Sequence, residues 1–377
     1  MSIIIGADLV PTASNQKLFS CGEVEELFGE LLLKILKEAD YRIFNLETPL
    51  TDVAAPINKV GGALLAPTST VTAMKKIGVD LFSLANNHIM DQGEQGLDST
   101  CKTLKRAGIS YVGVGRDIQT ASKPHVFVVK GKKIGVYSCA EHEFSIATNK
   151  HCGANPVDFL DSPDHIVQLK KQCDYVIVLY HGGKEYYRYP SPILQKVCRK
   201  FVEKGANLVV CQHSHCIGSY EYYQDGIIIY GQGNFIFDDG DMDCLRTGVL
   251  IKIDDDFKVS FLPIHRTRNC IRMAIGDLAE NILTQMSERS AEIIEPGVIE
   301  NKYLAFAADY HNYYLKAMHG HTTKALLYRI LNRVSGRKWE KWYLARQYKL
   351  MDQLCLLNYI ECEAHRELLL AGLHSGK

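Results

Sequence analysis

Short apolar runs recur along the first two thirds of the chain, and each ends beside a residue able to hold a metal ion or a proton. Residues 3–7 (IIIGA) lead straight into Asp8, and residues 41–44 (YRIF) lead to Asn45, Leu46 and Glu47. Residues 79–85 end in Asn86, Asn87 and His88, residues 175–180 end in His181, and residues 206–211 lead to His213 and His215. Short runs rich in Val and Ile and bounded by turn-forming residues predict buried strands. Between them the apolar spacing becomes helical. Residues 24–39 carry Leu27, Phe28, Leu31, Leu32, Ile35 and Leu36, and helices are predicted there and over 69–77, 98–107, 163–171 and 191–204. The polar stretch after Pro11 up to Cys21 predicts a loop, as does the Pro- and Gly-containing stretch 54–68, which is placed to line a site.

The arrangement is βαβ-like at first. It becomes hairpin-rich later, with a hairpin over 127–139 turning at Gly131 and two strands within 248–264. That order predicts a two-sheet α/β sandwich rather than one parallel sheet. From about residue 277 the pattern is helical, over 278–287, 303–319, 322–334 and 338–373. The expected division is therefore a domain of residues 1–270 and a helical C-terminal extension, 271–377. The extension is expected to pack on the main domain, on a second copy or on a protein partner.

In an open α/β sheet, ligands bind beyond the carboxyl ends of the strands. The strand ends here carry carboxylate, amide and imidazole groups. His213 and His215, two residues apart in extended chain, point to the same side. Taken singly, each residue also has an ordinary reading, such as a cap, a turn or a surface histidine. Taken together they form a donor set suited to Mn, Zn, Fe or Mg, with one or two divalent ions expected. Glu47 could bridge two ions, with Asn87, His181 and His213 completing one site and Asp8 with His215 the other. Such a centre activates water and clamps the oxygens of a displacement at phosphorus. His88 is then a candidate proton donor and Asp91 a candidate partner that orients it. Asn234, which follows Gly231 and Gly233, either touches substrate or shapes a bulge. Arg116, Lys184 and Glu185 are candidate substrate contacts whose alternative is an ordinary surface role.

Composition narrows the function classes. The chain has 377 residues, 46% hydrophobic and 23% charged, which is ordinary for a globular protein without membrane spans. Its 43 basic and 43 acidic residues balance, so no global field recruits nucleic acid. The twelve cysteines are scattered without a CxxC pair, which suits a reducing cytosol. Cys211 and Cys216 bracket the two histidines, but the spacing matches no common structural zinc site. The opening MSIIIGADLVPT lacks the features of a signal peptide, and no run of 18 apolar residues occurs, so a cytoplasmic location without a membrane span is expected.

The ordered motifs GADLVP, NLETPLT, ANNHIMDQGEQGLDST, HGGKEY and CQHSHCIGSYEYYQDGIIIYGQGNFIFD resemble the CapA family over about residues 1–265. These are poly-gamma-glutamate capsule-synthesis proteins, a branch of the calcineurin-like metallophosphoesterase superfamily. The resemblance implies a four-layer α/β/β/α sandwich and a divalent-metal centre. It implies Asp8, Glu47, Asn87, His181, His213 and His215 as ligands, and His88 as proton donor. Some positions depart from the pattern. The superfamily's first motif usually has Asp, one residue and then His, whereas Val10 stands here. Glu47 stands where the superfamily usually has Asp, and the motifs read GADL and QHSH where CapA-like proteins commonly have GD and GHHPH. Typical members also carry a membrane anchor, for which the sequence shows no segment. The leading expectation is a metal-dependent hydrolase of a phosphoester or related anionic substrate, small or polymeric. The alternatives are a non-catalytic accessory protein for polyglutamate or polysaccharide assembly, and a metal-dependent amide hydrolase or transferase.

Overall fold

The structure is a computed structural model that describes residues 1–238, 240, 242–318, 330–335, 338–361 and 365–366. The chain opens with β1 (Ile3–Leu9), α1 (Gln16–Cys21), α2 (Val24–Glu38) and β2 (Tyr41–Leu46). A long loop and a 3-10 turn (Thr68–Thr70) lead to α3 (Val71–Lys76), β3 (Leu81–Ser83), α4 (Gly93–Ala107) and β4 (Ser110–Val112). Next come β5 (Val114–Gly115), α5 (Ile118–Ala121), β6 (His125–Val129), β7 (Lys132–Ala140) and β8 (Gly153–Ala154). They are followed by α6 (Asp161–Lys170), β9 (Tyr175–His181), α7 (Pro192–Glu203) and β10 (Leu208–Gln212). The hairpin β11 (Tyr220–Tyr223) and β12 (Gly226–Ile229) precedes β13 (Asn234–Ile236), β14 (Thr247–Ile253), β15 (Val259–Thr267) and β16 (Cys270–Met273). Helices α8 (Asp277–Glu292) and α9 (Val298–Met318) follow.

Two large sheets result, one ordered β16-β15-β14-β1-β2-β3-β4 and the other β11-β12-β10-β9-β7-β6. β1 is the pivot of the first. It runs parallel to β2 on one side, and on the other it pairs antiparallel with β14 over Ile3–Ile5 before β13 takes over in parallel at Asp8. The handover sets Asn234 directly across from Asp8.

Side chains alternate across each strand, and this sorts the core into three apolar layers. Ile4, Phe44 and Phe82 face Phe28 and Leu32 of α2 on the outer side of the first sheet. Ile3, Ile5, Ile43 and Leu81 face Ile134, Ile177, Leu179 and Val210 between the sheets. Tyr137, Val176, Val178 and Val209 pack under Ile166, Leu169, Cys198 and Phe201 of α6 and α7. Helix, sheet, sheet, helix is thus the observed order, the four-layer sandwich the resemblance implied.

Several details differ from the sequence reading. The polar stretch after Pro11 contains α1, whose Phe19 is buried against Phe28. α4 starts at Gly93 rather than 98, because Gly96 sits within the helix, packed over Gln92 and Pro49. α2 is kinked at Gly29, which has φ 70° and ψ 159°, a conformation costly to any other residue. The single helix expected over 338–373 is interrupted among the described residues, which form Lys338–Gln347 and Leu350–Glu361, and Asp352 Oδ2 accepts from Lys349 N at 3.0 Å where the second begins. Residues beyond 366, and most of the helix expected over 322–334, lie outside the described residues.

The chain divides into two compact units, Met1–Glu300 and Asn301–Lys377. The first runs past residue 270 because Ile282 and Met286 of α8 belong to the layer between the sheets, while Ile293 and Ile299 join the outer layer of the second sheet. Within the second unit Leu315 and Leu344 are buried, and the Tyr348 hydroxyl donates to Leu315 O at 3.0 Å.

Candidate metal centre

The carboxyl ends of β1, β2 and β3 in one sheet meet those of β9 and β10 in the other. The register sets Asp8 beside Asn45 and His181 beside Gln212. Asp8, Glu47, Asn87, His181, His213 and His215 are all buried there. Asn45 Nδ2 donates to Asp8 Oδ1 at 2.7 Å and lies 3.3 Å from His181 Nδ1. His181 Nε2 stands 3.0 Å from Asn87 Oδ1 and 3.2 Å from Glu47 Oε1. The rings of His181 and His213 are 4.8 Å apart, centre to centre. His215 Nδ1 stands 2.8 Å from Asn234 Oδ1 and 3.4 Å from Asp8 Oδ2. One ligand atom each from Glu47, His213 and His215 lies within 4.8 Å of the others.

The QHSH turn is conformationally strained. His213 has φ 89° and His215 φ 54°, both in the left-handed region that side chains with a Cβ avoid, and Tyr186, whose N donates to Ser214 O, has φ 63°. Strain of this kind persists where surrounding structure over-determines it, and it clusters at functional sites. Gly233, at φ 72°, allows the chain to pass close to the Thr247 carbonyl just before Asn234.

The donor set fits a divalent ion on one physical ground. Glu47 is fully buried, and neither its oxygens nor Asp8 Oδ2 receive a well-aligned hydrogen bond: Glu47 Oε1 has only the ion-pair contact with His181 Nε2 and Asp8 Oδ2 only that with His215 Nδ1, while His213 Nδ1 has no hydrogen-bond partner. Buried carboxylate oxygens left unpaired are costly, and convergent oxygen and nitrogen lone pairs are what a cation satisfies. Charge is arranged accordingly. Burial alone would raise the Asp8 pKa, but the close contact with His215 and the His181 charge hold it low. Burial opposes a charge on His215, yet the Glu47 charge and the contact with Asp8 push its pKa up to about 10. His181 is raised, with burial opposing and the Glu47 charge prevailing. Burial, then the His181 and His215 charges, hold His213 well below its ordinary range.

His88, beside Asn87, is only partly covered. Its Nδ1 lies 2.6 Å from Asp91 Oδ2, and Asp91 is fully buried. Asn86 ties this loop to the cluster, donating to Asn45 Oδ1 at 3.1 Å while its own Oδ1 accepts from His88 N at 3.1 Å. Of the three candidate substrate contacts besides Asn234, Lys184 and Glu185 lie in the loop after β9, 3.7 Å apart and about a third exposed. Arg116 is not brought to the cluster. It is 76% exposed and reaches Asp98, 3.4 Å away on α4. Asn234 is in the centre, but its oxygen is engaged by His215.

The sequence reading singled out neither Asn45 and Asn86 nor Lys59, Glu141 and Glu143. The asparagines share the strand-end pattern and were open to detection. Glu141, whose pKa burial raises and which accepts from Gly183 N at 2.9 Å, and Glu143, 3.9 Å from His213 Nε2, come from a loop without any pattern.

The model of the bacterial capsule synthesis protein family PGA_cap matches residues 3–239. The chain belongs to that family. A capsule biosynthesis protein CapA of Bacillus anthracis is 34% identical over 215 residues, 54% of this chain and 52% of its own. The PGA biosynthesis protein CapA of Bacillus subtilis is 27% identical over 223 residues, 55% of each. The chain thus spans about half the length of these curated relatives. Among solved structures, a phosphatase from Mycoplasma pneumoniae aligns with 72% of this chain and 94% of its own at 15% identity and a TM-score of 0.45. Among the described residues of this PGA_cap member, no helix is long and apolar enough to cross a membrane.

Proposed function

We propose that this PGA_cap protein is a metal-dependent hydrolase acting on a phosphoester or a related anionic substrate. The carrying observation is the fully buried Glu47 carboxylate, whose Oε2 receives no hydrogen bond and which has a ligand atom within 4.8 Å of one each from His213 and His215. Asp8, Glu47, Asn87, His181, His213 and His215 are the residues we assign to hold one or two divalent ions, with Mn, Zn or Fe suited to the mixed donors. A bound divalent ion supplies Lewis acidity toward the substrate oxygen and activates water.

The chain's own residues supply the rest. With Nδ1 turned to Asp91, His88 has Nε2 to deliver a proton to the leaving oxygen. Asn234 orients His215, and its buried Nδ2, which has no partner, is a donor for a substrate oxygen. Lys184 at the rim attracts an anion. A cytoplasmic location agrees with the eleven described cysteines, all unbonded, including Cys198 and Cys211 with sulfurs 3.5 Å apart.

A second reading is a non-catalytic accessory role in polymer assembly. It is favoured by Val10, which stands where an imidazole ligand is usual, and by a Mycobacterium tuberculosis relative, 26% identical over 225 residues, whose name is "Probable polyglutamine synthesis accessory protein". The two are separated by metal content and turnover of untagged protein prepared without chelator. Bound metal lost in His213→Ala, with manganese-dependent hydrolysis of an aryl phosphate, supports the hydrolase. Bound metal without turnover of phosphomonoesters, phosphodiesters or amides supports the accessory role. Amide turnover alone would point to an amidohydrolase in the same centre.

A further inference from the structure

We propose that Lys59 is a positioning residue for the His88–Asp91 pair, and that through it the loop over residues 52–65 is tied to the proton donor. The proposal rests on the hydrolase reading for what His88 does, and on geometry alone for how His88 is held. Lys59 lies in a mostly exposed loop, yet its side chain is 4% exposed. Its Nζ donates to Asp91 Oδ1 at 2.5 Å and stands 3.5 Å from His88 Nδ1. The other carboxylate oxygen, Asp91 Oδ2, receives Leu64 N and faces His88 Nδ1, each at 2.6 Å. Asp91 O accepts from Ile57 N at 3.0 Å. Gln92 continues the clamp, accepting from Ala55 N at 2.7 Å and donating to Leu64 O at 2.9 Å.

The terminal torsion of an aspartate is broad, so a carboxylate held through one oxygen can swing. Lys59 on Oδ1 and Leu64 N on Oδ2 remove that freedom and present a fixed acceptor to the imidazole. Stability does not account for the arrangement. A buried ion pair is weak as a stabilising device, and apolar residues often replace one without loss. An ammonium buried against the carboxylate that faces His88 is explained by placement instead.

The test compares Lys59→Met, Lys59→Arg, Asp91→Asn and the Lys59→Met/Asp91→Asn pair. In Lys59→Met, kcat is expected to fall about tenfold to hundredfold, the scale for outer groups that orient a functional side chain. KM should stay within about twofold, since substrate contacts are untouched. Lys59→Arg should recover most of the loss, and the double variant should be no slower than Asp91→Asn, because the two residues act as one unit. Histidine side-chain NMR of the metal-free protein gives a readout independent of turnover. The hydrogen-bonded Nδ1 proton of His88, assigned through its loss in His88→Gln, should weaken or vanish in Lys59→Met while His125 is unmoved. An unchanged His88 resonance in folded Lys59→Met overturns the proposal, as does a rate loss that simply adds to that of Asp91→Asn. If Lys59→Met does not fold, Lys59→Gln is read in the same two ways. Wild-type protein that hydrolyses nothing sinks the hydrolase reading alone, and the NMR then decides this one.

Discussion

At the scale of single residues, Glu47 and His88 do different work, and the structure separates them. Glu47 is fully buried, meets His181 Nε2 through Oε1 and receives no hydrogen bond on Oε2, an oxygen that a bound cation would satisfy. Adding manganese or zinc at a hundredfold excess over Kd should therefore stabilise the wild-type protein by about 2.7 kcal/mol. Thermal melts of Glu47→Gln should show little or no such gain, and an equal metal-induced shift in that variant would exclude Glu47 as a ligand. His88 is held by Asp91, outside the six assigned ligands. Its replacement by Ala should leave the metal content intact while turnover of an aryl phosphate falls by about two to four orders of magnitude. Elemental analysis beside the rate assay distinguishes that result from a collapsed site.

At the scale of elements, helix α2 and strand β6 carry local conditions that can be tested apart from function. Gly29 interrupts α2 in a left-handed conformation, and a Cβ there would press on the Arg272 side chain, 2.8 Å away. Gly29→Ala should cost about 1–3 kcal/mol from the backbone conformation alone, read by chemical denaturation. At the start of β6, His125 is hydrogen-bonded to the Tyr41 hydroxyl at 3.1 Å, and burial lowers its pKa from 6.5. The unfolded chain therefore takes up the proton more readily than the folded one. The stability from the neutral ring is complete above pH 6.5 and is lost as pH falls through the lower folded value. Replacing His125 with Gln should flatten the fall in melting temperature between about pH 7 and 5. A slope identical to wild type would place the acid sensitivity elsewhere.

At the scale of the whole molecule, the informative boundary is the end of the first compact unit. α8 contributes Ile282 and Met286 to the layer between the sheets, although it follows the last strand. A fragment ending at Glu300 should fold and bind metal as the full chain does, because the division of the fold falls there. A fragment ending before α8 should lose several kcal/mol, since each large buried apolar side chain contributes about 1.5–3 kcal/mol. Equal denaturation midpoints for the two fragments would show α8 to be dispensable.

The strands, the two-sheet order and the convergence of Asp8, Glu47, Asn87 and the histidines were legible in the sequence. Each is a consequence of local pattern: alternation puts apolar side chains into layers, and chain direction puts the following residue at the carboxyl edge of its sheet. The same logic placed His88 beside Asn87. Local pattern has no hold on contacts made by loops. Nothing near Lys59 distinguishes it from a surface lysine, nothing near Glu141 marks it as partly buried, and nothing in α8 ties it to strands far earlier in the chain. Arg116 is a candidate substrate contact only as a positive charge, with an ordinary surface role as the alternative, and in space it pairs with Asp98 of α4. Those placements were decided only by the tertiary structure, because burial of a charge and the partner that compensates it depend on segments brought together across the fold.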